Sequence, residues 1–122
     1  MSTLFKGYRT RKGAIVEYSK DAGKSWHTLP LYLNEINHSP TGFEWGYYGS
    51  GPSQLAYAIL RNLYDCHTAE EYHVSFKQGV IAAISHNEWV LPSSEVEDWF
   101  LINSRGNSLY VTQTPLTDKM VC

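Results

Sequence analysis

The fourteen residues from Gly42 to Leu55 constrain the fold of this chain more than any other stretch. They contain four aromatic residues, four glycines and one proline, and they lead into the most regular helical pattern of the sequence. Proline is tolerated at the first position of a helix because its missing N–H would have no intrahelical partner there. We therefore predict a helix over residues 53–64, with Gly51 as the N-cap and Pro52 following it. The Gln54 side chain is then placed to bond back to an N–H of the cap.

This stretch also has the features of an anion-binding site. Glycines leave backbone N–H groups uncovered, and the start of a helix carries a partial positive charge. Such a turn suits a phosphate, and the aromatic rings beside it suit stacking on a base. The same pattern is also explained by an ordinary loop that leads into a helix. Neither a P-loop lysine nor a Gly-x-Gly-x-x-Gly motif is present to indicate phosphate binding. The predicted binding residues are His38, Trp45, Tyr47, Tyr48, Gly49, Ser50, Gly51, Ser53 and Gln54.

The sequence from Trp45 to Leu60 resembles a family of small bacterial and bacteriophage proteins of unknown function. The shared pattern is a tryptophan, a glycine-rich run with Gly-Ser-Gly-Pro, and then Gln-Leu-Ala-hydrophobic-Ala-Ile-Leu. It extends more weakly from about Gly7 to Phe100. Tyr48 stands where a small residue is expected and Tyr57 where an aliphatic one is expected. The resemblance implies a context in phages and mobile elements, but it supplies no catalytic residue and no reaction.

Length and composition predict one cytoplasmic domain over residues 1–122, in the host cytoplasm if a phage encodes it. The chain has 122 residues, of which 43% are hydrophobic, enough to bury about two thirds of its unfolded surface. No stretch approaches the roughly 18 apolar residues of a membrane span, so we expect no membrane partner. Two cysteines, Cys66 and Cys122, are too few for a disulfide framework.

The net charge of −2 conceals an uneven distribution along the chain. Residues 1–25 carry a net charge of +4, and residues 26–122 carry −6. A basic region can attract nucleic acid or an anionic ligand, but charges on strands and turns are usually only solvated. We expect no nucleic-acid partner.

The N-terminal third predicts an antiparallel sheet over residues 4–33. Residues 4–9 and 14–18 have strand character around a turn at Gly13, and residues 26–33 continue as a third strand interrupted by Pro30. The loop and the glycine-rich turn occupy residues 37–52. We therefore predict an α+β fold, with a sheet of three or more strands packed against about three helices.

Residues 19–26, Ser-Lys-Asp-Ala-Gly-Lys-Ser-Trp, match the Asp-box pattern of sialidases and of unrelated β-rich proteins. Asp21 can accept N–H bonds within its own turn, Gly23 can adopt a positive φ, and Trp26 can cover the hairpin. A sialidase needs several such boxes and an arginine cluster, for which this chain is too short. We interpret the segment as a structural hairpin.

Two more helices are predicted, over residues 69–84 and 94–103, followed by a C-terminal strand and tail over residues 108–122. Thr68 with Glu71, and Ser94 with Glu97, have the spacing of capping boxes. Gly79 leaves two alternatives open. Either the second helix continues to Ile84, or residues 80–84 form a strand; we favour the continuous helix.

No pattern predicts a cofactor, a metal site or a catalytic residue. Cys66 and His67 are adjacent and diverge, and no second pair has zinc-ligand spacing. Glu44 could act as a general base if it were desolvated, but nothing in the spacing shows that an arginine and a histidine converge on it.

These observations favour a non-catalytic protein that binds a nucleotide-like anion, in a phage context a host immune signal. The first alternative is a protein inhibitor of a host defence complex, with exposed Tyr and Trp side chains as anchors. The weaker alternative is a small nuclease or hydrolase acting through Glu44.

Overall fold

The computed structural model describes residues 2–104, so the predicted C-terminal strand and tail lie outside the described residues. The chain forms two long strands and a short one, then two helices, a fourth strand and a third helix. The second helix ends in a π-helical segment, Lys77–Ile81. The elements are β1 (Leu4–Thr10), β2 (Gly13–Ser19), β3 (His27–Thr28), α1 (Ser50–Leu63), α2 (Cys66–Phe76), β4 (Glu88–Pro92) and α3 (Ser93–Asn103).

The four strands form an antiparallel sheet in the order β3-β2-β1-β4. The predicted α+β fold, an N-terminal antiparallel sheet with three helices, is confirmed. The sequence missed that β4 joins this sheet from the far end of the chain. The predicted third strand was also longer than the observed β3. The Leu29 N–H donates to the Val16 carbonyl, but Pro30 has no N–H with which to continue the ladder of hydrogen bonds.

The core lies on one face of the sheet, against α1. Phe5 of β1 and Val16 of β2 are buried and belong to the same cluster as the apolar residues of α1. In α1 every residue from Gly51 to Leu60 is buried. The opposite face of the sheet carries partly exposed side chains such as Lys6 and Tyr8. Within residues 2–104, the helices therefore cover one face of the sheet.

The first helix begins three residues earlier than predicted. Its N-cap is Gly49, in extended backbone, and no side chain caps it. Pro52 is consequently the third helical residue, where its N–H would still have no intrahelical acceptor. The predicted N-cap, Gly51, lies inside the first turn.

The second and third helices also begin earlier than their predicted caps. Asp65 caps α2, since its side chain accepts the N–H of Thr68 at 2.8 Å; Thr68 is thus the third helical residue. In α3 the predicted N-cap, Ser94, lies inside the helix, and no side chain caps the helix start. The preceding Ser93 is bonded to Thr3, donating to its carbonyl at 2.7 Å and accepting its N–H at 2.9 Å. Of the two alternatives for residues 80–84, helical backbone continues to Ile81 and no strand follows there.

Candidate functional site

Residues 47–50 form an exposed turn at the start of α1, which we call the tyrosine turn. Tyr47 is 49% exposed and Tyr48 is 72% exposed. Ser50, the first residue of the helix, is exposed as well, and the first turn contains no acidic residue. The predicted site residues Tyr47, Tyr48, Gly49 and Ser50 therefore lie together at an accessible helix start.

Gly49 allows Tyr47 to lie against the helix start. A Cβ atom at Gly49 would stand 2.5 Å from Cε2 of the Tyr47 ring, closer than side-chain carbons approach. The Gly49 carbonyl accepts both the N–H of Ser53, at 3.0 Å, and its hydroxyl, at 2.9 Å. Because Pro52 has no N–H, the N–H groups of Ser50 and Gly51 are the first-turn donors without an intrahelical acceptor.

Trp45 is not available to a ligand, so its predicted role as a stacking platform is wrong. The side chain is 1% exposed, and its indole N–H donates to the His86 carbonyl at 2.9 Å. Trp89 packs edge-on against it at 5.5 Å, and the Arg9 guanidinium carbon lies 4.4 Å from its ring centroid. The ring is enclosed because the core, β4 and β1 all contact it.

Gly51 and Ser53 pack in the interior and do not face a ligand. A Cβ atom at Gly51 would stand 2.7 Å from the Cβ of Glu44, so glycine is needed there for close packing. Ser53 is 6% exposed, and its hydroxyl is bonded to the Gly49 carbonyl. Their assignment to the binding site is corrected.

Gln54 organises the loop before the tyrosine turn and does not cap the helix. The side chain is fully buried. Its Oε1 accepts the N–H groups of His38 and Ser39 at 2.7 and 3.0 Å. Its Nε2 donates to the carbonyls of Leu31 and Ile36 at 2.6 and 3.0 Å. These four bonds use the full capacity of the amide.

His38 contacts the second helix. Its Nε2 lies 3.1 Å from Nε2 of His73, a buried residue of α2. Although His38 is exposed, desolvation of its ring, and then the proximity of His73 and Lys77, lower the pKa of His38 below its usual value of 6.5. Sequence reasoning missed His73, because only the tertiary structure brings residues 38 and 73 together.

Arg9 and Glu44 form an ion pair that the sequence did not predict. Arg9 Nη2 lies 2.7 Å from Glu44 Oε1 and also donates to the Trp45 carbonyl at 3.1 Å. Arg9 Nη1 donates to Asn87 at 2.8 Å. Within residues 2–104, Arg9 contacts Glu44 but no histidine ring is hydrogen-bonded to it. Of the arginine and the histidine that a general base at Glu44 would need nearby, the described residues supply the arginine alone. Arg9 compensates the charge of the Glu44 carboxylate and links β1 to the loop before α1.

Neither a metal cluster nor a membrane span is present in the part of the chain that the structure describes. No three or more His, Cys, Asp or Glu side chains there are arranged to hold a metal ion. No helix among residues 2–104 is long and apolar enough to cross a membrane.

Comparison with known protein families finds a match to a family of unknown function, DUF6166, over residues 5–102. The chain belongs to the DUF6166 family. The DUF6166 match runs from β1 into α3 and includes the tyrosine turn, and the expectation of a family without a known function is confirmed. No curated protein and no solved structure matches the chain.

Proposed function

We propose that this DUF6166 protein is a non-catalytic binding protein that holds a nucleotide-like anion at the tyrosine turn. The observation that carries the proposal is the accessible start of α1, with no side-chain cap and no acidic residue in its first turn. The N–H group of the exposed Ser50 has no intrahelical acceptor and lies where the helix dipole favours negative charge. A phosphate group satisfies both requirements.

The base of the nucleotide would stack on a tyrosine in place of the buried Trp45. Tyr48 is the more exposed of the two rings in the turn, and aromatic side chains stack on bases with little sequence preference. In the phage context that the sequence resemblance implies, such a protein would sequester a nucleotide signal of the host in the host cytoplasm.

A charge placed at the helix start separates ligand binding from stability. In Ser50→Asp the new carboxylate should repel an anion while stabilising the helix through its dipole, by about 0.3–1 kcal/mol. We expect nucleotide binding to be lost with the melting temperature unchanged or raised. Ser94→Asp is the matched control, because Ser94 is exposed in the first turn of α3; it should bind like the wild type.

Calorimetric titration with cyclic and linear nucleotides at two salt concentrations makes the measurement. Tyr48→Ala should weaken binding by about 1–3 kcal/mol, the value of a lost base stack. Affinity should fall with added salt because the ligand is charged. Equal affinities of wild type and Ser50→Asp would show that the ligand lies elsewhere. Failure of every nucleotide to bind would refute the proposal.

The exposure of the tyrosine pair also favours a second candidate, a protein inhibitor of a host defence complex. Tyrosine is enriched among residues that dominate protein interfaces, and Tyr47 and Tyr48 are both well exposed. This function predicts that a host protein is captured by the wild type and lost in Tyr48→Ala. Ser50→Asp would then change capture less than Tyr48→Ala does, the reverse of the order expected for an anion.

A further inference from the structure

The imidazoles of His38 and His73 face each other across the gap between the loop and α2. Their Nε2 atoms are 3.1 Å apart, and their ring centroids are 5.2 Å apart. We propose that these two nitrogens chelate a divalent transition-metal ion, with water completing the coordination. This site is separate from the tyrosine turn and does not depend on the proposed function.

The hydrogen bonds of His73 leave its Nε2 free to bind a metal. Its Nδ1 lies 2.8 Å from the Glu70 carbonyl and 3.1 Å from the Ala69 carbonyl. Carbonyl oxygens only accept, so Nδ1 carries the proton and the lone pair of neutral His73 is on Nε2. A backbone carbonyl on the far nitrogen is the usual outer-shell partner of a metal-ligating histidine.

The separation of the two nitrogens suits a single ion. With metal–nitrogen bonds of about 2.0–2.1 Å, two nitrogens 3.1 Å apart subtend roughly 95–102° at the metal. This angle lies between octahedral and tetrahedral values. Without metal, the same separation fits a hydrogen bond donated by His38 to His73. Metal binding then requires the other neutral tautomer of His38, with its proton on Nδ1 and the lone pair on Nε2.

The surroundings hold both rings near this geometry. Gln54 accepts the backbone N–H of His38 at 2.7 Å. Tyr57 packs edge-on against the His73 ring at 5.5 Å. The loop and the helix thus present the two ligands in advance of binding.

The chemistry of the site selects the class of ion. Neutral imidazole suits Cu²⁺, Ni²⁺ and Zn²⁺, whereas Mg²⁺ and Ca²⁺ prefer oxygen ligands. We therefore expect Cu²⁺ to bind more tightly than Ni²⁺ or Zn²⁺, following their general order of affinity, and Mg²⁺ not to bind.

The test is titration of the untagged full chain with Cu²⁺ and Ni²⁺ by calorimetry, with electron paramagnetic resonance of the Cu²⁺ complex. We expect one ion per chain and a spectrum with two nitrogen ligands. His38→Gln retains an amide donor for His73 but removes the imidazole. It should weaken binding at least about tenfold, since loss of an outer-shell partner alone typically costs 10–100-fold.

His86→Gln is the matched control, because His86 is exposed and its ring has no hydrogen bond to residues 2–104. It should bind metal like the wild type. Equal binding by wild type and His38→Gln, or no binding by the wild type, would overturn the proposal and leave the pair as a hydrogen bond. Circular dichroism of His38→Gln checks that the fold is intact, as expected for an exposed side chain.

Discussion

A single side chain, Gln54, decides where the loop before α1 lies. Its amide bonds four backbone groups between residues 31 and 39, although it projects from a helix. Loops rarely bury backbone without such partners, because an unpaired buried polar group is costly. Gln54 thereby also positions His38, whose N–H it accepts.

Replacing this amide should destabilise the protein strongly. Gln54→Leu leaves four backbone groups unpaired, at about 1–3 kcal/mol for each that stays buried. Water reaches some of them at the surface, so we expect the free energy of unfolding to fall by about 3 kcal/mol or more in urea titrations. The control is Gln78→Leu on the exposed surface, which should stay within about 0.5 kcal/mol. A loss below about 1 kcal/mol in Gln54→Leu would show that the loop does not depend on the amide.

At the level of elements, hydrogen bonds from side chains within the turn stabilise the connection from β2 to β3. Ser19 donates to Asp21 at 2.7 Å and accepts the N–H of Gly23 at 2.9 Å, while Asp21 accepts the N–H of Ser25 at 2.8 Å. Gly23 has φ +87°, the left-handed conformation that glycine adopts readily. Hydrogen bonds from Ser25 first, and then Ser19, lower the pKa of Asp21 to about 2.

This lowered pKa predicts an acid-dependent part of stability. Because the folded state holds the Asp21 carboxylate more tightly than the unfolded state, its contribution is complete above pH 3.8 and is lost as pH falls to about 2. Asp21→Ala should therefore lower the melting temperature at pH 7, and the difference from wild type should shrink near pH 2.

Scanning calorimetry across this pH range makes the comparison, with Asp98→Ala on exposed α3 as control. Asp98→Ala should show no comparable loss at pH 7. A melting-temperature difference for Asp21→Ala that persists unchanged at pH 2 would contradict the assignment. Nucleotide affinity, measured well below the melting temperature, should be unaffected by Asp21→Ala if the hairpin is only structural.

At the scale of the whole molecule, the sheet has a covered face and an open face. Neighbouring residues of β4 show the contrast. Leu91 pairs with buried Phe5 and packs against the core, whereas Val90 pairs with Lys6 on the other face and is 62% exposed. The alternation follows from the pleat of a strand, whose side chains point to opposite faces in turn.

Replacing Val90 and Leu91 by lysine, one at a time, tests whether the helices cover the face of the sheet on which Leu91 lies. Val90→Lys should change the free energy of unfolding by less than about 1 kcal/mol, within the range of strand propensity. Leu91→Lys loses the partial burial of a leucine, worth a share of the roughly 1.5–3 kcal/mol of full burial, and places a charge against the core. It should therefore cost clearly more than Val90→Lys, about 2 kcal/mol. Denaturant titration of both variants gives the values. Equal costs, or the reverse order, would mean that helices do not cover the face on which Leu91 lies.

Local patterns in the sequence were sufficient for the fold class and for the main helix. The apolar spacing of Leu55 and Ile59 and the strand–turn–strand pattern around Gly13 depend on neighbours in the chain, and periodicity reports them directly. The starts of the helices were harder to predict from the sequence. Asp65 and Thr68 are both residue types that can cap a helix, and the earlier of the two, Asp65, is the N-cap of α2. Tyr47 and Tyr48 are exposed, and their role in binding stays a prediction.

Contacts between distant residues decided everything else. Trp45 and Gln54 have the same local sequence context as Tyr48, yet packing against Trp89 and the bonds to the 31–39 loop bury both of them. Glu44, the ion-pair partner of Arg9, and His73, the ring partner of His38, each lie 35 residues away in sequence. A local pattern specifies which groups must be buried or bonded. Only the tertiary structure supplies the partner, because burial and hydrogen bonding depend on which distant surfaces meet.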